Sequence, residues 1–128
     1  MKQTAVVICT FLLVQGCSSL PTNNNLAKAQ QWSELGQRDG RLGKVQKTSE
    51  QLAELAAKQQ VDAPDYSVYS EQYQQGVQSY CQQDAFQLGL EGKFYNDVCA
   101  DLPNGGSFKL HWQRGWERFL SVELPDVR

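Results

Sequence analysis

Apolar and small residues recur at intervals of three and four along the first part of the chain. Leu26, Ala29, Trp32, Gly36, Gly40 and Gly43 share one side of a helix that this spacing carries from about Leu26 into a glycine-rich stretch. After Trp32 that face is bare backbone. Glycine inside a helix costs about 1 kcal/mol relative to alanine, so three aligned glycines predict either the close approach of another element or a break near Asp39-Gly40. Val45, Ser49, Leu52, Leu55, Ala56 and Gln59 continue a helical period, which Asp62, Ala63 and Pro64 end with a turn. Past Pro64 a new helix sets Tyr66, Tyr69, Tyr73, Gly76, Val77 and Tyr80 in a stripe, with Gln and Glu opposite.

Further on, Ala85, Phe86, Leu88, Gly89, Gly92, Phe94, Tyr95 and Val98 predict a glycine-interrupted segment of one or two irregular helical turns. Asp101 to Ser107 reads as a loop. The last helix, from about Ser107 to Val122, lines up Phe108, Trp112, Gly115, Trp116 and Phe119. An aromatic-x-x-Gly step recurs at Tyr73-Gly76, Phe86-Gly89 and Trp112-Gly115, with spacing too irregular for a solenoid. Each such glycine would let an aromatic ring lie flat on helix backbone. The expected fold is therefore mostly α: a small helical domain of about four helices with a glycine- and aromatic-rich core and one disulfide.

Length permits one core, since 128 residues lie within the usual span of a single domain. With 41% hydrophobic residues there is enough to bury, although so small a domain hides a modest share of its surface and gains from a covalent staple. The net charge of −2, with Lys and Arg scattered, lacks the basic stripe that grips phosphates and argues against nucleic acid.

The N-terminus carries an address. Met1 and Lys2 precede an apolar run from Ala5 to Val14, too short for a permanent span of roughly 20 residues but suited to a secretory leader. Val14-Gln15-Gly16-Cys17 resembles the lipobox of bacterial lipoproteins, in which the thiol receives diacylglycerol before cleavage. Gln15 is a less usual residue at its place. The resemblance implies that residues 1–16 are removed, that Cys17 is lipidated, and, with Ser18 rather than Asp next, that the anchor lies in the periplasmic face of the outer membrane. Two or more acyl chains give stable anchoring. Residues 17–25 then form a flexible tether holding the folded part off the lipid, and residues 26–128 one periplasmic helical domain.

Of four cysteines, Cys9 leaves with the leader and Cys17 takes the lipid, so Cys81 and Cys99 remain to pair in an oxidising compartment. A metal site or redox pair fits less well. Cys-x-x-Cys is absent, and His111, the sole histidine, has no partner near in sequence.

One pattern covers most of the expected mature chain: Trp32-x3-Gly36-x2-Asp39-Gly40-x2-Gly43, then Tyr73-x2-Gly76, Tyr80-Cys81 and Gly89-x2-Gly92-x2-Tyr95-x2-Val98-Cys99. By these residues the chain resembles the DUF2799 family of small bacterial lipoproteins, catalogued as a domain of unknown function. The resemblance implies fold and location and brings no activity with it.

Candidate chemistry is sparse. Asp39, beside Arg38 in the glycine-rich stretch, reads as a helix cap before a ligand contact. His111 reads as a surface histidine, and the tyrosine row as core before a glycan-stacking platform. No phosphate loop, nucleophile elbow or paired metal-binding histidines occur, so no enzyme, metal or cofactor is expected. The expected role is a non-enzymatic envelope module that contacts the membrane through its lipid and an envelope protein or peptidoglycan through Trp32, Asp39, Gly40, Tyr73 and Trp112. One alternative is an inhibitor or sensor of cell-wall hydrolases working through Asp101 to Ser107; a third is a cell-wall glycan enzyme using Asp39 or Glu91.

Overall fold

Side-chain caps set where four of the helices begin. In the computed structural model, which describes residues 20–123, six helices follow one another: α1 (Asn23–Lys28), α2 (Trp32–Arg41), α3 (Ser49–Gln59), α4 (Tyr66–Tyr80), α5 (Ala85–Leu90) and α6 (Gly105–Glu123). Thr22 accepts from the Asn25 amide, Asp65 from Ser67 and Asp84 from Gln87, each satisfying a donor left free in the first turn. Thr48 and Gln51 bond reciprocally in a capping box at the start of α3. No strand occurs among the described residues. The expected leader and the expected lipidation site, Cys17, lie outside them.

Four helices stop in the same way. A left-handed residue follows the end (Gln30, Gly43, Gln60 or Gly92), its amide donates to a carbonyl three residues back, and the next amide reaches five residues back. At Gln30 this turn breaks the single helix expected from Leu26 into the glycines, so two helices stand where the periodicity predicts one. It also corrects the tether: residues 23–25, assigned to flexible chain, are the first turn of α1.

The three aligned glycines mark close approach. Helices α2 and α4 run parallel, in register from Gly36 against Tyr69 to Gly43 against Tyr80. A Cβ on Gly40 would sit 2.2 Å from the Tyr73 carbonyl oxygen, and one on Gly76 would sit 2.3 Å from that of Gln37. Small residues four apart let two helix backbones touch in this way. The expectation of rings lying flat on glycine is therefore corrected: the helix-interior glycines meet facing backbone. Rings meet only the two left-handed glycines, Tyr80 at Gly43 (φ 63°) and Phe119 at Gly92 (φ 69°).

The same construction occurs twice. Helices α5 and α6 also run parallel, with Gly89 against the Trp112 carbonyl and Gly115 against that of Phe86. Position by position, Gly40, Gly43, Tyr73, Gly76 and Tyr80 correspond to Gly89, Gly92, Trp112, Gly115 and Phe119. Tyr73 donates through its hydroxyl to the Lys44 carbonyl at 2.6 Å, and Trp112 donates through its indole N–H to the Lys93 carbonyl at 2.8 Å. The two pairs differ in their return connection. The first contains α3; the second, shorter, is irregular and is tied back to the end of α4 by the Cys81–Cys99 disulfide.

Between these parts lies the core. Leu26 and Ala27 of α1, Trp32 and Leu35 of α2, Leu52 and Ala56 of α3, Tyr69, Tyr73 and Tyr80 of α4, Leu88 of α5 and Phe108 of α6 are buried together. No helix among the described residues is long and apolar enough to cross a membrane.

Candidate functional site

Asp39 is the one charged residue buried among the described residues, and it does not cap a helix: it lies inside α2, 0% exposed. Its Oδ2 accepts from the Tyr69 hydroxyl at 3.0 Å and from the Lys47 ammonium, while the Lys44 ammonium stands 3.7 Å from Oδ1. Tyr69 accepts in turn from the Lys47 backbone amide, Tyr66 donates to the Lys47 carbonyl, and Tyr73 donates to that of Lys44. The carboxylate and three phenols thus pin the chain between α2 and α3 to the helix pair. Burial pushes the phenols of Tyr69 and Tyr73 up, and the nearby Asp39 charge adds to this. The cluster acts as a brace.

This geometry relocates most of the contact residues expected from sequence. Trp32, Asp39, Gly40 and Tyr73 are interior: the first three lie on α2 and the last on α4, and these two helices pack against each other. Trp112 alone of the five is half-exposed. Glu91 is exposed and paired with Lys93 at 2.6 Å; the hydrogen bonds of Lys93 and Gln87 hold its carboxyl below the usual range, the opposite of what a general acid needs. His111 lies exposed on α6. The stretch Asp101 to Asn104 is a tight turn held to the end of α4 by Asn104 donating to the Cys81 carbonyl, and Gly105 already begins α6. No group of three metal-binding side chains occurs among the described residues.

What reaches the surface is an aromatic row. Tyr80 meets Phe108 at 5.7 Å between centroids, Phe108 meets Tyr95 at 5.2 Å, and Tyr95 meets Trp112 at 5.8 Å. From Trp112 the row passes to Trp116 at 5.4 Å and then divides to Phe94 at 5.0 Å and Phe119 at 5.5 Å. It starts in the core and ends outside: Phe108 is 4% exposed and Phe94 77%. The position of Trp116 corresponds in the first helix pair to Val77, which is buried. Phe94, Trp116 and Phe119 were not singled out from sequence as contact residues. The available signal was Phe94, a large aromatic falling outside every helical stripe and just past a glycine.

Rings held by indole hydrogen bonding and by packing on neighbouring rings have little conformational freedom left to lose when something docks on them. The row offers π faces suited to apolar side chains or sugar rings, beside the Glu91–Lys93 pair.

A family model described as "Protein of unknown function (DUF2799)" matches residues 31–117, which include the first helix pair, α5, α6 as far as Glu117 and the aromatic row through Trp116. No curated protein and no solved structure matches the chain.

Proposed function

We propose a binding role in the bacterial envelope for this chain, which belongs to the DUF2799 family. Lipidated at Cys17 and held at the periplasmic face of the outer membrane, it presents the aromatic row Phe94, Trp112, Trp116 and Phe119 to an envelope protein or to peptidoglycan. The observation that carries this reading is Phe94, 77% exposed and packed at a tilt on a half-exposed tryptophan whose own neighbours run unbroken into the core. Anchoring aromatic residues in such settings supply much of an interface's energy.

Replacing Phe94 by a photo-crosslinking amino acid in the full-length protein tests the proposal in intact cells, with Ala57 on α3 as the control position. Specific adducts are expected at 94 and not at 57. Phe94→Ala and Trp116→Ala should each weaken capture of the adducted partner, or retention on isolated sacculi, by about 30-fold if each is worth about 2 kcal/mol. Equal adducts at both positions, or none at 94, would remove the reading.

A further inference from the structure

The chain leaves its folded part at a fixed point. Arg38 of α2 donates through its guanidinium to the Pro21 carbonyl and to the Asn23 side-chain oxygen, and Thr22 is engaged as the cap of α1. Three residue steps separate Leu20 from Cys17, so whatever the path between them their Cα atoms stand no more than about 11 Å apart. A lipid on Cys17 therefore enters the membrane beside the place where Arg38 holds the chain. Any spacer between lipid and folded part is thereby limited to residues 17–19, shorter than the tether over 17–25 that composition suggests.

The surface at that place has the composition of one that rests on headgroups. Leu20, Pro21, Arg38, Arg41 and Leu42 line a shallow groove. Leu20 is 86% and Leu42 57% exposed, and the two arginines outnumber Glu34, the one acid there. Exposed leucines beside the exposed Arg41 suit an interface of acyl chain below and phosphate above.

We infer that the groove bearing Leu20, Arg38, Arg41 and Leu42 lies directly on the anionic lipid surface that receives the anchor, which fixes the orientation of the domain. The occupant is a lipid bilayer; a protein in the groove is the competing outcome. This rests on the proposed lipidation of Cys17.

The test uses the full-length lipidated protein in vesicles of phosphatidylethanolamine and phosphatidylglycerol that contain a headgroup nitroxide lipid. A fluorophore is placed at Leu42→Cys or, as the distant position, at Leu110→Cys on α6. Quenching is expected at 42 and not at 110. Arg38→Gln and, separately, Asn23→Ala free the exit point and should lower quenching at 42, with flotation and helicity unchanged. Flotation without quenching at 42, or equal quenching at both positions, overturns the inference while leaving lipidation intact. Failure to float, with an unmodified sulfur on Cys17 by mass spectrometry, overturns both together.

Discussion

At the scale of single residues, burial of one carboxylate decides most of what the sequence left open. Asp39 looks in sequence like a turn residue because its partners Lys47 and Tyr69 stand eight and thirty positions away, and no local pattern announces such a pairing. Asp39→Ala removes the acceptor for the buried Tyr69 hydroxyl and is expected to cost about 1–3 kcal/mol, read from denaturant unfolding. In the second helix pair the corresponding positions hold Leu88 and Phe108. The double variant Asp39→Leu, Tyr69→Phe should therefore recover part of that loss, since an apolar pair of fitting shape replaces a buried charge well; a loss larger than that of Asp39→Ala would sink the correspondence. Glycines make a second residue-scale prediction. Gly40→Ala and Gly115→Ala each drive a Cβ to about 2 Å from a facing backbone oxygen and should destabilise by 1–3 kcal/mol or more. Gly106→Ala, with nothing within 4 Å, should be neutral or slightly stabilising, and thermal melting of the three distinguishes them.

At the scale of elements, the helices themselves were legible and their ends less so. The tyrosine stripe of α4 and the aromatic stripe of α6 follow directly from a 3.6-residue period, and the stop at Pro64 was readable as such. The break after α1 was not, because Gln30 takes a left-handed conformation that glutamine does not advertise. The duplication escaped notice because α3 lengthens the first return connection, so the two glycine sets share no fixed period. The pairing of Cys81 with Cys99 was legible by elimination among four cysteines, and here the disulfide does for the second pair what α3 does for the first. Replacing both cysteines by alanine should lower stability by about 3 kcal/mol, the loop-closure contribution for a separation of 18 residues. Local hydrogen exchange should then rise first in residues 91–104; uniform acceleration would contradict this division of labour.

For the whole molecule, the candidate contact face was half legible. The periodic apolar face was found, but a stripe reports only that a face meets something, and Trp32, Gly40 and Tyr73 meet the interior. Exposure depends on which element covers which pair, and that is set by tertiary arrangement. The buried phenols also give the fold a definite response to alkali. Burial raises Tyr69, Tyr73 and Tyr80 above their ordinary value of 10.0, so above that pH the unfolded chain sheds protons that the folded chain keeps. Stability should be complete below about pH 10 and decline as pH rises toward the folded values. The tyrosinate absorbance of these rings should appear together with unfolding; smooth ionisation in a still-folded protein would show that the phenols are open to water. The partly open aromatic row has an optical consequence as well. Trp32 is shielded, whereas Trp112 and Trp116 lie half in solvent, so the red side of the intrinsic emission comes from the edge proposed to bind. The molecule thus carries its own unlabelled indicator of occupancy, a blue shift on docking that needs no engineered probe.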